Sequence, residues 1–366
     1  MDDRMYCLFW QIIAPASARR VWQLDNHFGS LKAAWEAPEK EIRSLFGTKV
    51  DAADALLRAR NTFDPVREKE KLNNIGADFI TYKDHNYPEN LRAIYDPPPA
   101  LFVMGQITNA DQLAVALVGS RKATSYGLSV AEQLSVALVK SGISIVSGMA
   151  RGIDSAAHKG CLSAYGRTIA VLGSGLNVIY PRENRKLMER IAASGAVISE
   201  FPLDSQPEAW HFPMRNRIIS GLSRAVVVIE AGEKSGALIT ADFALEQGRD
   251  VMAVPGSIGS PLSRGPHKLI KQGAKLVENA GDILDELGIT TLFPVEESTN
   301  ASVALNRDEE TVFGLISVNP VHFDEIVDKS NLPAQKVLAS LMFLELKNLV
   351  RQLPGRQYAL CKFING

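Results

Sequence analysis

Between residues 4 and 72 apolar positions such as Leu45, Leu56 and Leu57 recur at helical rather than alternating spacing, and Gly29, Pro38 and Gly47 cut the pattern into short pieces. The spacing predicts a small all-α domain over 1–75, of the helix-hairpin (SAM-like) kind. The stretch 28–47 has the cadence of paired helices with glycine-containing turns, which hold DNA backbones in some proteins and are at least as often packing units. Pro97, Pro98 and Pro99 follow one another and exclude a helix interior, so a connector over 76–99 ends at a boundary near Ala100.

From Leu113 the pattern changes. Short runs rich in Val, Ile and Ala, without alternation, are each followed by a glycine-containing or polar loop and then a helical stretch: AVALVGSRKATSYG, ISIVSGMARGIDSAAH, TIAVLGSGLNVIYP, AVISEFP, AVVVIEAGEKSGALITA and VMAVPGS. Uninterrupted apolar runs are what parallel strands covered on both faces require. Their alternation with helices predicts an α/β fold over 100–288, with a doubly wound, mostly parallel Rossmann-like sheet whose loops gather at the carboxyl ends of the strands. A polar, acidic linker is expected over 289–305. The segment 306–366 then reads as helix, short helix, turn, a longer helix from Pro333 and two strands joined at LPGR, the order of a winged helix-turn-helix.

Composition narrows the function classes. The 366 residues carry a formal net charge of −1, so attraction to nucleic acid has to come from a local patch. Met1–Trp10 lacks the basic head and apolar body of a signal peptide, and no apolar run approaches the roughly 18 residues that span a membrane. Cys7, Cys161 and Cys361 lie far apart without a C-x-x-C pair. These features predict a soluble cytoplasmic protein with no metal or cofactor. The segment 306–366 holds seven Lys/Arg and seven Asp/Glu, and its longer helix offers Lys336 and Lys347 as cations, so duplex reading and protein docking stand level there.

The loops supply the candidate chemistry. Gly119, Ser120 and Arg121 end the first run of the α/β segment, where glycine lets a ligand approach the backbone and the guanidinium matches phosphate oxygens. Ser147, Gly148 and Arg151 repeat the design after the second, with Asp154 placed to cap the helix that carries His158. Lys234, Ser235 and Gly236 precede a further helix, and Phe212, Arg215, Asn216 and Arg217 open the helix before it. Helix N-termini favour anions, and a row of cations around one crevice suits a phosphate chain. Any one of these arginines is more simply read as ion-paired with Glu200, Glu230 or Asp154; the group is not. Phe212 and Tyr180 are of a type that stacks bases, although burial is the commoner role of each. GSGLNV lacks the third glycine of a dinucleotide fingerprint, and AGEKSG has Val227 where a P-loop needs glycine. No nucleophile–base pair or metal-ligand spacing emerges, while Asp154, Glu200 and Glu230 keep a hydrolase in view.

The ordered series GSRKATSYG, SGMARGIDSAAH, GRTIAVLGSGLNVIYP, SEFP, FPMRNRIISGLS, EAGEKSGALITADFALEQGRDVMAVPG and LIKQGAKLV closely resembles the DNA-processing protein A family (DprA, also called Smf), over about 100–288. The helical and winged-helix flanks resemble that family's variable partner domains. The resemblance implies a recombination mediator, not an enzyme. Such a protein binds single-stranded DNA cooperatively, displaces single-strand binding protein and helps load the RecA recombinase during natural transformation. It also implies that Gly119, Ser120, Arg121, Phe212, Arg215, Asn216 and Arg217 line the DNA pocket, with Lys234 beside them. A homodimer through the end of the Rossmann-like domain is implied too, to which Leu269, Ile270 and Leu276 are assigned. His267 stands where the family often has asparagine, and Asn177 where aspartate is common. The runner-up is a nucleotide phosphoribohydrolase of the lysine-decarboxylase-like family on the same fold, whose PGGxGTxxE motif is absent here. Arg121, Arg215 and Arg217 are expected in solvent at the strand ends, with Glu200 and Glu230 holding Arg215, Arg217 or Lys234 in place.

Overall fold

The computed structural model describes residues 2–13, 18–46, 50–289, 305–317, 320–347 and 349–360; of the linker expected over 289–305, residues 290–304 lie outside them, as does Cys361. Contacts divide the chain into two compact units, one of 1–123 with 131–289, the other of 124–130 with 290–366.

The larger unit is built on nine strands: β1 (Ala77–Thr81), β2 (Ala100–Gly105), β3 (Ala114–Val118), β4 (Ser144–Ser147), β5 (Thr168–Val171), β6 (Ala196–Ser199), β7 (Ala225–Val228), β8 (Asp250–Ala253) and β9 (Lys275–Leu276). They lie in the order β1-β2-β6-β5-β4-β3-β7-β8-β9. From β6 to β9 every pairing is parallel, while β1 and β2 add an antiparallel edge next to β6. The apolar runs end buried because both faces are covered. Ile169 and Val171 of β5 point into one cluster with Val118, Val228, Ile218 and Ile219. Ala170 between them points into the other, with Val197, Leu187, Met188 and Ile191. Strand order reverses beside β3: the chain runs from β3 through β4 and β5 to β6 on one side, then returns with β7 on the other. Loops leaving β3 and β7 therefore diverge and open a crevice at their carboxyl ends, as expected of an open α/β sheet.

Among the described residues six helices precede the sheet: Asp3–Ile13, Ala18–Phe28, Leu31–Glu36, Glu39–Phe46, Val50–Thr62 and Pro65–Asn74. Their own core gathers Phe9, Trp10, Val21, Leu24, Ala34, Ile42 and Leu57. Cys7, Leu8 and Leu72 pack with Phe79 and Phe102, so these helices also roof one sheet face. The proline run is the seam between them. Its carbonyls accept from three directions: Pro97 from Trp22 Nε1 at 2.9 Å, Pro98 from Tyr87 Oη at 2.7 Å and Pro99 from the backbone of Tyr82 at 2.8 Å, with Cys7 Sγ at 3.8 Å. Prolines offer carbonyls and no N–H, so the run acts as an acceptor strip.

In the smaller unit the helices Arg307–Phe313, Phe323–Ser330 and Ala334–Leu346 pack on a three-stranded sheet, β10 (Val321–His322), β11 (Val350–Leu353) and β12 (Gln357–Leu360), in the order β10-β12-β11. Val312, Ile326, Val337, Leu341, Leu344 and Tyr358 form its core. This is a winged helix, closed by the β11–β12 hairpin at LPGR.

Candidate nucleic-acid interface

At the reversal point a cavity of about 230 Å³ is bounded by Gly119–Arg121 after β3, Ala150 and Asp154 after β4, Phe212, Arg215 and Asn216 of the helix His211–Leu222, and Ser235–Gly236 after β7. The β3 loop is fixed from both sides. Ser120 N donates to Glu230 O at 2.6 Å, Ser120 O accepts from Ile153 N at 3.2 Å, and Ser120 Oγ accepts from Lys122 N at 3.1 Å. Gly119 is needed for packing more than for ligand approach: a Cβ there would stand 2.6 Å from Ile153 Cγ1 and 2.8 Å from Glu230 O. Gly236 is different. Nothing lies within 4 Å of where its Cβ would be, and it opens the helix Gly236–Glu246, capped by Ser235 Oγ accepting from Ala237 N at 3.4 Å. Exposed N–H groups at a helix start facing a cavity suit an anion.

Arg121 lines the cavity and is exposed, and Lys122, Arg151 and Lys234, each next in the chain to a lining residue, are exposed too. Arg151 is ion-paired with Glu183. The guanidinium of Arg121 lies over the Phe212 ring, 4.9 Å from its centroid.

Two expected solvent cations are not in solvent. Arg215 is 4 % exposed and lies under the cavity, where it donates to Gly148 O at 2.7 Å, to Val171 O, and through Nε to Asn216 Oδ1 at 3.2 Å. Burial lowers its pKa to about 10. Gly148 is the seat of this side chain, since a Cβ at that position would come within 2.4 Å of the guanidinium. Arg217 is also 4 % exposed and pairs with Glu200 at 2.6 Å and Asp96 at 3.6 Å. Glu200 is buried, which raises its pKa, while Arg217 pulls it back. Glu200 does hold Arg217, but inside the fold and not in a row of solvent cations. The reason for the misplacement is that the helix His211–Leu222 is buried from Arg215 to its end, between the sheet and its cover. Ser147 and Gly148 are likewise interior: the Ser147 hydroxyl donates to Leu117 O at 2.7 Å, which occupies it in the sheet. Asn216 donates through Nδ2 to Gly236 O at 3.1 Å and so ties the floor to the β7 loop.

Asp154 faces the cavity and does not cap its helix, whose N-cap is Gly152; it accepts from Ala150 N at 3.3 Å. Burial raises its pKa, offset by Arg215 nearby. Asn184 was not foreseen. Its amide donates to Met149 O at 2.8 Å and Ser155 Oγ at 2.9 Å, holding the β4 loop from outside, and no motif marks an asparagine for that task. Cys161 is buried with its thiol pushed up to about 12, and His158 is buried with its pKa lowered to about 3. Among the described residues no three His, Cys, Asp or Glu side chains converge as a metal-holding group, and no helix is long and apolar enough to cross a membrane. Of the residues assigned to a dimer contact, Leu269 is 5 % exposed and belongs to the sheet's own core, Ile270 packs partly against it, and Leu276, on the edge strand β9, is 39 % exposed.

Residues 78–288 match the family model for DNA recombination-mediator protein A, and 296–356 match that for the DprA winged helix domain. Protein Smf of Synechocystis is 35 % identical across 98 % of this chain and 98 % of its own, and DNA processing protein DprA of Bacillus subtilis is 39 % identical across 78 % and 96 %. Among solved structures, DNA processing protein A of Streptococcus pneumoniae is 37 % identical and superimposes with a TM-score of 0.65 over 74 % of this chain and 93 % of that one. DNA processing protein A of Helicobacter pylori, described for its single-stranded DNA binding mode, is 30 % identical with a TM-score of 0.52 over 58 % and 95 %.

Proposed function

Since the chain belongs to the DNA recombination-mediator protein A family, we propose that it is a DNA-processing protein whose crevice grips single-stranded DNA. The observation that carries this reading is the meeting, at the reversal point of the sheet, of exposed Arg121 with the open start of the helix Gly236–Glu246 around one cavity, with exposed Lys234 two residues before that helix start. Phosphates lie against those cations and the helix amides. Arg215, Asn216, Ser147 and Gly148 form the bed beneath, and Arg217 is locked to Glu200 and serves the fold. A cavity of about 230 Å³ is below the 300–1,000 Å³ or so of sites that enclose a small ligand. An open groove of this kind suits binding without turnover, and we assign the protein no enzymatic activity. The mediator role follows: protection of incoming strands, displacement of single-strand binding protein and loading of RecA during natural transformation, in the cytoplasm. We assign a homodimer contact to the β9 edge around Leu276, with Ile270 and the core residue Leu269 behind it.

A titration with single- and double-stranded oligonucleotides at several salt concentrations tests the grip. Tighter binding of the single strand, with log affinity falling by about 0.7 per phosphate contact per decade of salt, is expected. Equal binding of duplex, or no salt dependence, overturns it. Incubation with nucleoside monophosphates, and with labelled strand, magnesium and ATP, is expected to release neither base, cut DNA nor phosphate.

A further inference from the structure

We propose that Asp154 sets which phosphates the crevice accepts, admitting the singly charged phosphodiester inside a strand and excluding the doubly charged phosphate of a free nucleotide or a phosphorylated strand end; this rests on the reading of the crevice as a single-strand site. The observation behind it is a carboxylate on the wall of a cavity that is to grip an anion. Asp154 lines that cavity and is 7 % exposed, and its contact with Ala150 N is long, at 3.3 Å. The nearby cations direct their own contacts elsewhere. Arg215 donates to Gly148 O, Val171 O and Asn216 Oδ1, and Arg121 lies over the Phe212 ring. The charge of Asp154 therefore acts through space on these two guanidiniums, which oppose the rise in pKa that burial causes, and on whatever enters beside them.

Arg121, Arg215 and Asp154 are the charged groups on the wall, which leaves one net positive charge. The side running from Ser235 to Thr240 carries none, and Glu230, buried where its carbonyl holds Ser120 N, is not on the wall. The cost of taking an anion out of water rises with the square of its charge, whereas attraction to the wall rises only in proportion. One net positive charge thus compensates a phosphodiester and falls short for a dianion, and Asp154 is the group that keeps the balance there. The selection has a use. A cavity charged for free nucleotides would be filled by them before a strand arrived, while a phosphodiester has no second proton to lose and always presents one charge.

The test loads the full chain with a fluorescent homothymidine oligonucleotide and displaces it, at fixed ionic strength, with thymidine 5′-monophosphate or with its methyl ester. The two share base and sugar. The monophosphate is a dianion at about pH 8 and a monoanion at about pH 5, its second pKa being about 6, while the ester carries one charge throughout. At the higher pH the ester is expected to displace the oligonucleotide from the parent at about a tenfold lower concentration than the monophosphate does. At the lower pH both are expected to act alike, with the ester reporting any change in the protein itself. Asp154→Asn is expected to abolish the contrast at the higher pH through a gain of about tenfold for the monophosphate, which a damaged fold cannot supply. Should Asp154→Asn fail to fold, the parent's pH contrast decides alone. Equal displacement by both compounds from the parent at the higher pH, displacement by neither, or a variant that keeps the parent's contrast overturns the role of Asp154 and leaves the single-strand reading standing. A parent that does not bind the oligonucleotide removes that reading and the selection with it.

Discussion

The crevice and the winged helix both carry cations where a nucleic acid is expected to be gripped, and they treat them in opposite ways. Arg121 on the crevice wall and Lys234, next to the lining residue Ser235, are exposed. In the winged helix the two cations of the longer helix are tied to its own first helix, Lys336 to Asp308 at 3.1 Å and Lys347 to Glu309 at 2.6 Å. The same helix turns Leu338, Met342, Phe343 and Leu346 to solvent. Four exposed apolar side chains on one short helix are poor material for a phosphate backbone and good material for a protein contact. The contrast shows that a cation counts toward binding by how it is held. Arg217 and Arg215 make the same point within the larger unit, since both are used up below the surface.

The largest effect expected is on the buried pair. Arg217→Ala leaves Glu200 without its partner in the interior and is expected to cost about 3–5 kcal/mol in chemical denaturation, whereas Arg217→Met with Glu200→Leu recovers much of it. If Arg217→Ala folds normally and loses only DNA affinity, Arg217 belongs with the gripping cations after all. Next comes the mouth itself. Arg121→Ala with Lys234→Ala is expected to weaken single-strand binding about a hundredfold near physiological salt and to flatten the salt dependence by about 1.4 units, two contacts' worth, with the melting curve unchanged. A change below threefold would erase the contrast from the crevice side. From the other side, Lys336→Ala with Lys347→Ala is expected to alter affinity for single strand or duplex by less than twofold in gel shifts, and a tenfold drop would erase it too.

The last effect is a slope. His158 titrates in the folded chain at about 3 against 6.5 when unperturbed, because burial opposes its charge. The unfolded chain therefore takes the proton first, and stability present above pH 6.5 is lost as pH falls toward 3, by up to roughly 1.4 kcal/mol per unit. Asp154 and Glu200, raised by burial, act in the opposite sense, gaining stability as pH falls. The difference between the parent and His158→Gln isolates the histidine: the variant's stability is expected to fall less steeply across that window.

Much of this was legible in the chain. Uninterrupted runs such as AVALV and AVVV can bury both faces only in a parallel sheet, and the glycines and cations after them marked the edge where the crevice opens. β1 and β2 were not read, because they enter antiparallel, and β1 lies in the segment taken as a connector. The partners of Arg215 were illegible for a different reason. Two of its three acceptors are backbone carbonyls, of Gly148 and Val171, and every residue carries one, so no residue type announces them. The glycines misled in part: Gly119 and Gly148 look like room for a ligand and are room for Ile153 and Arg215.

The proline seam bears on modularity. A helical segment that precedes an α/β domain invites excision as a cassette, yet its removal would strand the carbonyl of Pro97, which now accepts from Trp22, and that of Glu200, which accepts from Gln11 Nε2 at 2.7 Å. It would also bare the face of Phe79 and Phe102. A fragment beginning at 76 would inherit a dry surface turned wet, and behave as a broken protein more than as a shorter one.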